Sequence, residues 1–330
     1  MKKNLFFISV AVLALGACTN DNVVEENNSI NQPKEIAFQA ITTPSTRAAV
    51  DGTAFPTTSA IEVAAYDATA GANYFAPATF SNVTSTTWTG AKYWPFTPAT
   101  INFLAYAELE GSASWNGTNP ASAVTLTMTD NSSAQKDLMY ACGTGTVTQT
   151  GNVLGYPTSV PMQFKHAQAW VKFTVKAGDD ASASAITVNS ITLNSVSCQG
   201  TYTVTHTNWN QTKAARDADP TLNGSVSGTW GAYSTSAGNV PVVKDAGYST
   251  FSTSEQNFGS LMVVPDQGMA SFTINYSLGG NTYNYEYTPA SPDLAQATKY
   301  IYNITLTVHE IVVEPTVVNW SAGGSTDIDI

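Results

Sequence analysis

Alternation of apolar and polar residues is the dominant pattern along this chain, and it predicts strands. Ile36, Phe38 and Ala40 alternate with Glu35, Ala37 and Gln39 in a short first strand. Further strands are predicted at Ile61–Tyr66, Thr100–Tyr106, Ile186–Val196, Gly200–Thr205, Ser271–Leu278 and Tyr283–Tyr287. Trp170–Lys176 sets Val171, Phe173 and Val175 on one face, and Tyr302–His309 turns Ile304, Leu306 and Val308 inward. Gly, Pro and Asn punctuate the runs, as at Gly279-Gly280-Asn281 between two alternating segments. The one hint of helix is a turn near Pro292–Thr298. Repeated strands with turn-rich joints predict an all-β chain of two tandem antiparallel β-sandwich, Greek-key domains. The division is expected near Gly155-Tyr156-Pro157, separating 48–155 from 156–330.

The first residues follow another rule. Lys2 and Lys3 precede an apolar run from Leu5 to Leu15, too short to span a bilayer and suited to a signal peptide over 1–17. It ends in Leu15-Gly16-Ala17-Cys18, which resembles a bacterial lipobox; an ordinary signal with an accidental cysteine is the plainer alternative. A diacylglycerol on Cys18 plus an amide-linked chain would meet the two-signal requirement for stable membrane attachment. Residues 19–33 are polar, acidic and aperiodic, a tether that would reach roughly 50 Å when extended.

Composition narrows the function. Charged residues are 11% of the 330, so Ser, Thr, Asn and Gly must cover the surface. The net charge of −11 argues against nucleic acid. Beyond residue 17 there are 11 basic against 24 acidic residues, so lipid rather than charge would have to hold the chain to a membrane. The GxSxG, HExxH, CxxC, P-loop and GxGxxG patterns are missing, and no catalytic residue, metal site or cofactor is expected. His166, His206 and His309 stand isolated among strand residues. Asp217, Asp219 and Asn223 have some of the spacing of a calcium loop but not its glycine or closing glutamate. Cys142 and Cys198 read as buried thiols, with a disulfide as the alternative. Trp88, Trp94 and Trp170 belong in the core, whereas Trp115, Trp209 and Trp230 are candidates for exposure and sugar stacking. Only two arginines occur, and Arg47 follows the first strand in a stretch of loop composition, Thr42 to Gly52. A surface-loop arginine is the ordinary explanation.

Several segments then carry a resemblance: the Cys18 lipobox, the polar tether, the Ile36–Ala40 strand and the Thr46-Arg47-Ala48 junction. Lys92-Tyr93-Trp94-Pro95 followed by Ile101–Ala107, then Asp137-Leu138-Met139-Tyr140-Ala141, Phe164-Lys165-His166-Ala167 and Val317-Val318-Asn319-Trp320-Ser321-Ala322-Gly323-Gly324 complete it. In this order they resemble the fimbrillin, or type V pilin, family of Gram-negative anaerobes over nearly the full length.

The resemblance implies transthyretin-like sandwiches and an outer membrane lipoprotein that ends in a cell-surface fimbrium. It implies cleavage between Arg47 and Ala48 by an arginine-specific protease, which would release 18–47 with the strand carrying Ile36, Phe38 and Ala40. The emptied groove would take a strand from another fimbrillin subunit, giving a head-to-tail polymer. The expected donor is 325–330, where Ile328 and Ile330 alternate with Asp327 and Asp329 after the Gly323-Gly324 pair; a frayed tail or an ordinary last strand competes with it. A stalk subunit, a tip adhesin with a host or bacterial surface ligand, an anchor that keeps its lipid, a surface glycan-binding lipoprotein and a surface glycosidase are the roles to separate.

Overall fold

The computed structural model describes residues 33–46, 49–54, 58–84, 86–115, 124–178, 186–206, 226–231, 238–248, 252–265, 269–291, 293–320 and 328–329. The chain divides into Met1–Pro33 and Lys34–Ile330, and the fold below is that of the second unit. It is all-β, and the described residues contain no helix.

Its first part comprises β1 (Glu35–Thr46), β2 (Ala49–Ala54), β3 (Ile61–Asp67), β4 (Ala72–Thr84), β5 (Thr87–Tyr93), β6 (Ala99–Ala107), β7 (Gly111–Trp115), β8 (Val124–Met128), β9 (Met139–Thr150), β10 (Val153–Gly155), β11 (Val160–Gln163) and β12 (Lys165–His166). Ten of these make one sheet in the order β10-β9-β6-β3-β4-β5-β1-β11, with β2 added on β1 and β12 on β9. Long β4 turns the sheet over on itself: Ala72–Phe80 supplies the pairs to β3, and Ser81–Thr84 the pairs to β5. The two limbs enclose a core that includes Ile36, Phe38, Ile61, Val63, Phe80, Trp88, Trp94, Ile101, Phe103 and Met162.

All nine residues of β6 are buried. One face, with Ile101, Phe103 and Ala105, enters that core, while Leu104 and Tyr106 enter a second cluster with Val124, Leu126, Tyr140, Tyr202 and Val204. A strand covered on both faces has no reason to alternate, which is why 101–107 reads as a nearly continuous apolar run. The cover is a four-stranded sheet, β16-β15-β8-β7, in which β15 (Gly200–His206) and β16 (Val226–Trp230) come back from far along the chain.

Beyond these lie β13 (Ala169–Ala177), β14 (Ile186–Val196), β17 (Gly238–Pro241), β18 (Val243–Lys244), β19 (Gln256–Val263), β20 (Ser271–Leu278), β21 (Asn281–Tyr287), β22 (Thr298–Leu306), β23 (Ile311–Asn319) and β24 (Ile328–Asp329). They form two sheets, β18-β19-β13-β22-β23-β24 and β17-β14-β20-β21. Their alternate residues, among them Val171, Phe173, Val188, Ile191, Phe272, Ile274, Tyr302 and Ile304, build a third apolar cluster. Gly279 and Gly280, at φ +57 and +83, make the two-residue β20–β21 turn, where both central residues need the left-handed region.

Three expectations need amendment. The pairing is not uniformly antiparallel: β1–β11 and β13–β22 are parallel. β22 ends at Leu306, and Val308 is exposed rather than inward, because Thr307–Glu310 forms the turn into β23. Among the described residues of 293–298 no helical turn forms; Gln296 and Ala297 make a tight turn with Ala297 at φ +53. Past Gly155 the first sheet continues through β11 and β12, which pair with β1 and β9.

Candidate functional site

β1 is the first strand of the unit, yet it lies inside its sheet. It pairs antiparallel with β5, through Ala37↔Thr89 and Phe38↔Trp88, and parallel with β11, from Phe38↔Val160 to Ile41↔Gln163. Ile36 and Phe38 are wholly buried and Ala40 nearly so. The Phe38 ring meets Phe80 and Phe103 edge-on, at 4.8 and 5.0 Å between centroids. Burying Ile36 and Phe38 contributes about 1.5–3 kcal/mol each. Withdrawing β1 would open a slot in that core and leave β5 and β11 as facing unpaired edges.

The entrance to the slot has its own device. Glu35 pairs with Tyr93 but Ala37 with Thr89, so β5 spends two extra residues, a bulge at Gly90 and Ala91. The Ala91 amide donates to Glu35 Oε1 at 3.0 Å, and Trp94 N donates to Lys34 O at 2.9 Å. A side chain at Gly90 would come within 2.5 Å of Thr79 O, so the bulge is pressed onto β4 as well. At the far end β1 forms a hairpin with β2, where Thr46 is paired with Ala49. Arg47 and Ala48, which join these two residues, lie outside the described residues, as does Cys18. Ile328 and Asp329 pair as an edge strand with Val317 and Thr316 of β23. Ile330 lies outside the described residues.

A second feature was not visible as a group in the sequence. His166 is buried with its Nδ1 at 3.0 Å from Asp137 Oδ2, and its ring stacks on Trp320 at 3.9 Å and 10°. Trp170 flanks Trp320 at 5.6 Å, and Lys299 Nζ lies over the Trp170 ring at 4.2 Å. Three amides continue the join, Gln135 and Gln168 buried and Gln296 half-buried. Gln168 Oε1 accepts from Leu138 N, Gln135 Oε1 accepts from Met262 N, and Gln296 Nε2 donates to the Tyr140 and Tyr202 hydroxyls. His166 is therefore a satisfied core histidine, while His309 is exposed.

The remaining candidates separate. Trp88, Trp94 and Trp170 are buried as expected. Trp115 and Trp230 are only half exposed, and Trp230 is not a free platform: its Nε1 donates to Ala167 O and its ring packs on Tyr202 at 4.9 Å. Trp209 and the Asp217, Asp219, Asn223 trio lie outside the described residues. A cleft beside Tyr287, Tyr300, Tyr302, Pro315 and Val317 holds about 30 Å³. Among the described residues no cluster of His, Cys, Asp and Glu could hold a metal. Cys142 and Cys198 are reduced thiols, and burial, with Asp130 adding to it, pushes the Cys198 thiol up to about 12.

The site is thus a pre-filled strand slot in an all-β, sheet-on-sheet protein. Residues 46–320 match the family model described as fimbrillin-like, and the chain belongs to that family. A candidate cell adhesion protein from Bacteroides uniformis shares the fold at 16% identity, over 87% of this chain and 99% of that one, with a TM-score of 0.54. A fimbrial protein from Bacteroides vulgatus does so at 16% identity, over 87% and 100%, with a TM-score of 0.51. No curated protein matches by sequence.

Proposed function

We propose that the chain is a structural subunit of a cell-surface fimbrium that mediates adhesion. It is exported as an outer membrane lipoprotein through Cys18, cut between Arg47 and Ala48, and polymerised by strand exchange with other fimbrillin subunits. The observation that carries this reading is the position of β1. Its Ile36, Phe38 and Ala40 plug a core, it is held on both sides, and Arg47 follows its last residue, Thr46. A cut there frees the segment covalently while leaving β2 onward intact. Fimbrillin-like membership and the fold shared with the B. vulgatus fimbrial protein support the same reading. The packing of Trp230 on Tyr202 and its bond to Ala167 O weigh against Trp230 as a glycan-stacking platform.

The test is the N-terminus and size of the protein extracted from the surface, in wild type and in Arg47→Ala. Chains that begin at Ala48 and form ladders or fibres, both lost in the variant, are expected. A wild type that keeps lipidated Cys18 and stays monomeric would leave an anchor or a ligand-binding lipoprotein.

A further inference from the structure

We propose that the open edge of β21 pairs with β21 of a second copy of this chain, antiparallel about a two-fold axis at Asn284. Asn284 then faces Asn284, Tyr283 faces Tyr285, and Thr282 faces Glu286 of the other copy. This contact joins copies side by side; it goes beyond the strand-exchange reading and does not depend on it.

β21 ends its sheet, tied to β20 by an unbroken ladder from Leu278↔Asn281 to Phe272↔Tyr287. Leu278 and Asn281 close the two-residue Gly279-Gly280 turn, so that pair exchanges both of its backbone hydrogen bonds. Alternation from there ties Tyr283, Tyr285 and Tyr287 to β20 and leaves the N–H and C=O of Thr282, Asn284 and Glu286 at the open edge. Such edges are ordinarily blunted by brevity, Pro, Lys or a bulge. Among the described residues the other edge strands are shorter than β21, and β11 and β17 also carry Pro161 and Pro241. β21 has seven residues with no Pro, no Lys and no bulge, and Thr282, Tyr283, Asn284 and Glu286 are exposed.

What fits this edge is another β21. Asn284 is its middle residue, so a two-fold axis there pairs the whole strand and joins outward groups to outward groups. A row of amides crosses the outer face: Asn189 Nδ2 donates to Asn275 Oδ1 at 2.9 Å, and Asn275 Nδ2 to Asn284 Oδ1 at 2.8 Å. Asn284 ends the row within the chain, and the pairing carries it on, amide against amide. On the other face Tyr283, stacked on Tyr276 at 5.6 Å and 44% exposed, gains Tyr285 of the second copy. Glu286, the one charged residue of the strand, meets a Thr282 hydroxyl. Moving the axis to Glu286 would oppose two carboxylates. A shift of one residue carries Glu286 against Gly280 of the turn, or Asn281 against Pro289 beyond the strand, and in both the two Asn284 part. One such pair is a small contact, but a fibre would repeat it at every subunit, so fibres would adhere side by side.

Disulfide trapping reads the axis. Full-length Asn284→Cys, mildly oxidised, is expected to give a dimer that survives boiling in detergent and collapses on reduction, above the background set by wild type with its Cys142 and Cys198. A hydrogen-bonded antiparallel pair holds its Cα atoms about 5.5 Å apart, within disulfide reach. Thr282→Cys and Glu286→Cys should each stay at background, because like residues would lie about 14 Å apart, yet an equal mixture of the two should give the dimer. In the Asn284→Cys background, Thr282→Glu would face Glu286 of the other copy and should abolish the dimer, whereas Thr282→Lys should keep it. Urea midpoints of both charge variants should match that of Asn284→Cys, since position 282 is exposed. A dimer from Thr282→Cys or Glu286→Cys alone would overturn the axis. Equal dimer from the Glu and Lys variants, or background levels throughout, would overturn the self-pairing.

Discussion

His166 lies flat on Trp320, with ring centroids 3.9 Å apart and planes at 10°, while its Nδ1 faces Asp137 at 3.0 Å. These residues come from three distant points of the chain, and each belongs to a segment that carried the fimbrillin resemblance. Their shared feature is a location: the place where β9 and β12 of the first sheet meet the ends of β22 and β23. Trp320 N donates to Ala297 O, and Ala297 N to Gln168 O, so backbone bonds fasten the same corner.

Truncation at this corner should be costly and coupled. Trp320→Ala is expected to destabilise by about 3–5 kcal/mol through loss of a buried aromatic. His166→Ala should cost about 3 kcal/mol, because Asp137 stays buried without this partner. Since each change removes the same stacked contact, the double variant should fall short of the sum by at least about 0.5 kcal/mol. Urea unfolding of the three variants checks this; strict additivity would mean that the stack carries no energy.

The slot predicts a difference between two forms of one variant. Phe38→Ala should destabilise the uncut chain by about 3–5 kcal/mol, because Phe80 and Phe103 lose the ring between them. In assembled chains that begin at Ala48 the same substitution should change nothing, since residue 38 is gone. Thermal unfolding of both forms, with and without the substitution, makes the comparison. An equal loss in the two would mean that β1 is not released.

Much of the fold was legible because most strands are half buried. Ile186–Val196 and Ser271–Leu278 have their read bounds, and Val171, Phe173 and Val175 face inward as their spacing implied. Ile36, Phe38 and Ala40 were recognisable for the same reason. What alternation could not convey was partnership. Nothing in Gly200–His206 says that it covers the far side of β6, because pairing between β15 and β8 joins residues over seventy positions apart. His166 looked solitary because its partners are distant in sequence, and Trp230, set among small polar residues, hides its contact with Tyr202. Gln135, Gln168 and Gln296 gave no signal, since a glutamine that ends on a backbone amide or a tyrosine hydroxyl looks like any surface glutamine.

Alkaline pH should destabilise the protein once it passes the ordinary values of its buried thiol and phenols. Burial raises the Cys198 thiol from 9.0 to about 12 and, with Glu62 adding to it, the Tyr106 hydroxyl from 10.0 to about 12. Burial also raises the Tyr202 and Tyr302 hydroxyls. In each case the folded value lies above the unfolded one, so the folded state holds more protons in the window between them. The associated stability is complete below pH 9 and is lost as pH rises towards about 12. Urea midpoints at pH 7, 9, 10 and 11 should be level and then fall, and a flat profile to pH 11 would contradict it. Iodoacetamide at pH 8 should reach Cys142 before Cys198, which should react only on unfolding.

Ile328→Asp should separate folding from assembly. In the single chain Ile328 belongs to a two-residue edge strand on β23, opposite Val317. A substitution at such a position should shift the unfolding free energy by no more than about 0.5 kcal/mol. If Ile328 is a plug in a neighbour's slot, it would have to enter the apolar space left by Ile36 and Phe38, both wholly buried, where a carboxylate would be desolvated at high cost. The variant should therefore be exported, cut to begin at Ala48 and fold normally, yet accumulate as monomer. Size-exclusion of the surface extract, read beside the urea midpoint, decides it. Polymers of normal length from Ile328→Asp would mean that Ile328 plugs no pocket. A monomer that is also strongly destabilised would mean that β24 belongs to the fold of its own chain.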